Sequence, residues 1–139
     1  MTNPLDLYPV SERAPERAVS SSGVPIGRFT VEEVMAGTIG PGDIRISADA
    51  LRLQAEIARA AQRECLARNF ERAAELVAIP QNIILETYEM LRPGRVTDPG
   101  LLSQQAEMLR RDYGAHSIAA LVDEAVAAYT RRGLFRPRY

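Results

Sequence analysis

No lysine occurs among the 139 residues, so all 17 basic side chains are arginine. That excludes a P-loop lysine, a pyridoxal-phosphate Schiff base and any lysine nucleophile. Tryptophan is also missing, and aromatic residues amount to 6%. One cysteine, Cys65, and one histidine, His116, exclude an internal disulfide and a zinc site built from several such ligands. A formal net charge of -1 provides no global field to steer nucleic acid or a membrane surface. No apolar h-region opens the chain and no run of apolar residues is long enough to span a bilayer. The expectation is a soluble, cytoplasmic protein without signal or anchor.

What is abundant is alanine and leucine, within a hydrophobic content of 46%, and these residues favour helix. The length suits a single domain. Five of the nine prolines and five of the nine glycines fall in the first 42 residues, where continuous helix is impossible. Residues 1–29 therefore read as an irregular N-terminal arm that orders against a partner or the body, and residues 30–139 as the helical domain.

Cap chemistry divides the rest. Thr30 with Glu33 has the spacing of a capping box, and Gly37 supplies a stop. A loop over residues 38–46 follows, and Ser47 caps the longest helix, with Asp49 in its first turn. Its apolar stripe holds Leu53, Ile57, Ala60 and Ala61, and the pattern runs on to about Leu66, then continues or bends into residues 69–78 until Pro80. Ile83, Ile84, Tyr88 and Leu91 read as the buried face of a further helix that ends at Pro93-Gly94. Thr97-Asp98-Pro99 starts another, with Leu102, Ala106, Leu109 and Tyr113 on one face, broken at Gly114. A last helix near residues 117–132 buries Ile118, Leu121, Val122, Ala125 and Tyr129, and Gly133 follows two terminal arginines. Ile44-Arg45-Ile46 is the one weak strand signal. The fold class expected is all-α, an open helical bundle with an irregular Pro/Gly-rich N-terminal arm.

The chemistry-bearing residues do not assemble into a site. Cys65 and His116 are a nominal nucleophile and base, but Cys65 falls among alanines with no glycine-rich turn or helix N-terminus expected to present it. His116 with Ser117 reads as a polar helix start. Glu32/Glu33 and Asp123/Glu124 are adjacent pairs that diverge by about 100° on a helix. Glu71 and Glu75 share a face, but Arg68 and Arg72 precede them by three residues, as in a solvated ion-pair ladder. The glycine-rich run at residues 38–42 has neither a feeding strand nor a GK[ST] ending. Arg131, Arg132, Phe135, Arg136, Arg138 and Tyr139 mix cations with rings, a composition that suits nucleic acid or an acidic protein surface. No catalytic, cofactor-binding or metal-binding residue is expected.

The stretch Ala67-Arg68-Asn69-Phe70-Glu71-Arg72-Ala73-Ala74-Glu75-Leu76-Val77-Ala78-Ile79-Pro80 continues through Ile83-Ile84-Leu85-Glu86 and Tyr88 to Leu91-Arg92-Pro93. It strongly resembles the small (γ) subunit of adenosylcobalamin-dependent diol and glycerol dehydratases. Tyr8-Pro9, residues 30–37, Asp43-Ile44-Arg45-Ile46-Ser47 and residues 51–54 carry the likeness further, so that it spans roughly residues 8–135. The resemblance implies a helical subunit in a dimer of αβγ heterotrimers with large (α) and medium (β) partners. It implies a radical lyase that turns 1,2-diols or glycerol into aldehyde and water. It also implies that substrate lies in the large subunit and adenosylcobalamin between the large and medium ones, with neither cofactor nor catalytic residue on this chain. Its partners would be protein subunits, not nucleic acid or membrane, with Tyr8, Phe70 and Arg72 near the contacts. Gly94-Arg95 replaces the aromatic residue and arginine that commonly follow the Leu-Arg-Pro motif. The chain begins close to Tyr8-Pro9, without the long extension linked to microcompartment packaging, so such packaging is not expected. The reading from another class is a small helical nucleic-acid-binding or regulatory adaptor acting through its arginine-rich C-terminus.

Overall fold

Polar caps and left-handed stops set the helix boundaries in the computed structural model, which describes residues 3–137. Seven α-helices lie among these residues: α1 (Val10–Arg13), α2 (Val31–Met35), α3 (Ala48–Ala60), α4 (Glu64–Leu76), α5 (Gln81–Leu91), α6 (Pro99–Tyr113) and α7 (His116–Arg132). An isolated antiparallel bridge between Val19 and Pro25 is the sole β feature there, so the fold is all-α. The chain divides into two compact units, residues 1–77 and 78–139.

In the first unit, residues 3–29 form three 3-10 turns (Pro4–Leu7, Pro15–Arg17 and Ile26–Arg28) around the single turn of α1. Proline opens the first two, where a missing N–H costs nothing. This segment is folded against the body: the Pro4–Leu7 turn packs on α3, and Ala14 is almost fully buried. Only half of the expected capping box forms at α2. Thr30 Oγ1 accepts the Glu33 N–H at 3.3 Å, but the Glu33 carboxylate turns to Arg28 at 2.8 Å.

Ser47 Oγ accepts the Ala50 N–H at 3.1 Å and opens α3. This helix does not run on toward Leu66. It ends at Ala60, Gln62 takes a left-handed φ of 61°, and the Arg63 N–H closes the turn on the Ala58 carbonyl at 2.8 Å. The chain then reverses into α4, and the two helices pack as a hairpin along Ala55, Ala58 and Ala67, with Phe70 against them. Alanine lets the backbones approach closely, and the ring fills the remaining space. Leu53 and Ile57 are buried as expected, whereas Ala61 is exposed in the turn.

The second unit is built on larger side chains. Asp98 accepts the Gly100 N–H at 2.8 Å at the start of α6. A Cβ at Gly100 would come within 3.1 Å of that carboxylate, so glycine makes room for the cap. At the far end Gly114 has φ 61°, its N–H reaches Arg110 and the Ala115 N–H reaches Leu109. This doubly bonded αL stop turns the chain directly into α7. Leu102, Ala106, Leu109, Ala115, Ala119 and Val122 are sealed from solvent between α6 and α7. Leu121, expected inside, is exposed, while Ile118, Ala125 and Tyr129 are half-buried.

α5 departs from expectation in its orientation. Tyr88 is 62% exposed, and the residue turned inward is Thr87. Its hydroxyl donates to the Ile83 carbonyl at 2.8 Å and accepts from Gln105 Nε2 of α6 at 2.7 Å. A buried polar pair with both members bonded thus takes the place of an aromatic contact. Tyr129 OH donates to the Leu91 carbonyl at 2.7 Å, tying the end of α5 to α7.

Candidate functional site

Cys65 is exposed in the first turn of α4, not inside a longer helix, because the chain breaks at Gln62. The helix N-terminus does present this thiol, contrary to expectation. His116, exposed, is the first residue of α7 in the other unit. Its backbone N–H reaches the Gly114 carbonyl at 3.0 Å.

Several of the carboxylates are engaged in ion pairs. Glu64 lies between Arg59 (3.1 Å) and Arg68 (3.2 Å), and Arg59 reaches on to Glu71 at 2.8 Å. This network crosses the α3–α4 hairpin and includes the Arg68–Glu64 pair along α4. Arg59 and then Arg68 hold the Glu64 carboxyl below its usual range, and Arg28 followed by Thr38 does the same for Glu33. Ser22 and the Gly40 N–H lower Asp43, and Arg111 lowers Asp112. A general acid needs the opposite shift. Asp123 pairs with Arg110 across α6 and α7, whose guanidinium is raised chiefly by that carboxylate. Among the described residues no three potential metal ligands come together, and no buried side-chain polar atom lacks a hydrogen bond.

The arginine-rich C-terminus is partly folded. Phe135 rests on Tyr129, with ring centroids 6.0 Å apart, so this ring faces α7. Gly133 ends α7 with φ 63°, and Arg131 and Arg132 lie in its last turn. Arg138 and Tyr139 lie outside the described residues. Beside this end, Leu91, Leu121, Ala125 and Ala128 line a groove of about 590 Å³ with Glu124 and Arg131 among its walls. No helix among the described residues is long and apolar enough to cross a membrane.

Apolar side chains are exposed in the first unit as well. Val31 and Met35 are 74% and 81% exposed on α2, and Val34 is exposed beside them. Ile44 and Ile46 follow at 70% and 60%, in a turn rather than a strand. Helical spacing puts the three α2 residues on one face. Five large apolar side chains are thus exposed within residues 31–46. Fold and surface together describe a small helical protein with apolar side chains exposed on it.

Comparison with known proteins specifies which kind. The family model for the dehydratase small subunit matches residues 4–136. The propanediol dehydratase small subunit of Citrobacter freundii is 44% identical over 125 residues, covering 90% of this chain and 72% of that protein. The propanediol dehydratase small subunit of Salmonella typhimurium is 43% identical over the same length and shares. The chain belongs to the dehydratase small-subunit family. The adenosylcobalamin implied for such enzymes finds no fit among the described residues here. The one histidine is an exposed helix start, no cluster of ligands surrounds it, and no buried polar atom waits for a partner.

Proposed function

We propose that this chain is the non-catalytic small subunit of an adenosylcobalamin-dependent diol or glycerol dehydratase, a cytoplasmic lyase that converts a 1,2-diol or glycerol to an aldehyde and water. Identity of 44% over 90% of the chain to a propanediol dehydratase small subunit carries the reading. Its partners are the large and medium subunits, in a dimer of αβγ heterotrimers. Those subunits hold substrate and cofactor, and this chain contributes no reacting group. Its work is to cover and be covered. The exposed side chains that the large subunit buries are those of Val31, Val34, Met35, Ile44 and Ile46, together with Tyr8 at 63% exposure. Burial of such side chains contributes on the order of 1.5–3 kcal/mol each when complete.

Co-expression with the neighbouring large and medium subunits, a pull-down on a tag carried by this chain, and a dehydratase assay with adenosylcobalamin test the assignment. A stoichiometric complex that loses activity when this chain is omitted is the expected result; full activity of the partners without it refutes the assignment. Met35→Glu and Ile44→Glu test that burial. Both sites face solvent, so each change leaves the stability of the free chain within about 0.5 kcal/mol while recovery of the complex falls. The nucleic-acid adaptor reading is not favoured, since Phe135 packs on Tyr129 and no relative found binds nucleic acid by its name.

A further inference from the structure

Residues 18–26 form a small hairpin on the first unit. The Ser20 N–H reaches the Val24 carbonyl and the Ile26 N–H the Ala18 carbonyl, both at 2.9 Å, with Gly23 at φ 83° in the turn. Nothing in this hairpin is long enough to be stable alone. Its tip is held from outside. Ser22 Oγ donates to Asp43 Oδ1, and Ser21 Oγ donates to the Gly42 carbonyl at 3.3 Å. The other oxygen of Asp43 accepts the Gly40 N–H at 2.9 Å. One carboxylate therefore closes its own loop and fastens the hairpin 21 residues earlier in the chain.

Under the hairpin is a cavity of about 210 Å³ with a mixed polar and apolar lining. Arg17, Val19 and Ser21 line it from the hairpin side, and Ser47, Asp49 and Leu53 from the first turns of α3. Leu53 is nearly sealed from solvent at 5% exposure. The hairpin thus lies over the start of α3 as a strap.

We propose that Asp43 is the latch of this strap, and that residues 18–26 open as a unit, uncovering the start of α3, when the Ser22–Asp43 bond is lost. The chemistry suits the task. Hydrogen bonds to a charged acceptor are stronger than those between neutral groups, and the Ser22 hydroxyl with the Gly40 N–H keeps the carboxyl ionised by lowering its pKa. The strap pairs with itself through backbone bonds, and the side-chain bonds that tie it to the loop ending at Asp43 are made at its tip.

Hydrogen exchange on the full chain, resolved by residue, tests the latch without any dehydratase partner, so its outcome is independent of the assignment above. The Ser20 and Ile26 amides report the strap, the Gly40 amide reports the loop, and the amides within α3 and α4 report the body. In Ser22→Ala the strap amides exchange at least about fivefold faster while Gly40 keeps its protection. In Asp43→Ala strap and Gly40 both exchange faster, and α3 and α4 remain as in the wild type. Unchanged strap exchange in both variants overturns the proposal. So does an equal increase throughout α3 and α4, which would make Asp43 a general stabiliser. Should Asp43→Ala fail to fold, Ser22→Ala decides alone, because Ser22 is exposed and fills no part of the core.

Discussion

The two units solve the packing problem with different side chains. In the second, Leu102, Leu109 and Val122 fill the space between α6 and α7, and the one buried polar pair, Thr87 with Gln105, is fully bonded. In the first, α3 and α4 meet through alanines and one phenylalanine, Ile39, Leu51, Leu53 and Ile57 are buried in the same unit, and Val31, Val34, Met35, Ile44 and Ile46 face outward. A core of leucine and valine removes much apolar area from water per residue, and an alanine seam removes little. The comparison teaches that the α6–α7 contact removes more apolar area per residue than the α3–α4 seam, while both units leave apolar side chains exposed, Val31, Met35 and Ile44 in the first and Leu85 and Tyr88 in the second.

The largest effect that would break this comparison is at Leu102. Leu102→Ala should cost about 2–5 kcal/mol in urea unfolding, by lost burial and a residual cavity. A loss no greater than that of a surface change would show that the second unit's core is not what holds it. Thr87→Val comes next. It leaves the Gln105 amide buried without its acceptor and should cost about 1–3 kcal/mol, whereas Thr87→Val with Gln105→Leu should recover most of that loss. Failure of the double variant to recover would mean that the pair is not the contact that matters. The smallest effect concerns charge in the first unit. The Glu64 carboxyl is lowered by Arg59 and Arg68, so its contribution is present above the ordinary carboxylate value of 4.5 and is lost as pH falls through the lower folded value. Both arginines and Glu64 are well exposed, so the contribution is small. The urea midpoint of the wild type should decline slightly more than that of Glu64→Gln on acidification below about pH 5. Parallel curves would remove the network from the account.

Local chemistry was what the sequence made legible. Ser47, Asp98, Gly114 and Gly133 each act through groups within a few residues, and each sits where cap and stop rules put it. The break between α3 and α4 escaped because neither glycine nor proline marks it; Gln62 adopts the left-handed conformation that the hairpin contact demands. Cys65 was consequently read as internal to a helix. The orientation of α5 escaped for a different reason. Whether Tyr88 or Thr87 turns inward depends on Gln105, a partner 18 residues away from Thr87. Apolar periodicity identifies a face without saying whether that face meets this chain or another, which is why Tyr88 and Ile44 were legible as apolar positions but not as exposed ones. The family likeness was legible in the run from Ala67 to Pro93, even though no residue in it announces a reaction.

The alanine seam has a consequence for how the first unit can vary. A methyl side chain is the smallest contact that still has a Cβ, so every larger replacement at Ala55, Ala58 or Ala67 acts as a wedge. A wedge near the turn rotates the far ends of the helices apart, like a hinge pin driven into a closed pair of blades. At the far end of α3 are Ser47 and the loop that carries Ile44 and Ile46. A single methylene inserted beside Gln62 is therefore read out, magnified by the length of the helix, as a displacement of the loop that carries Ile44 and Ile46.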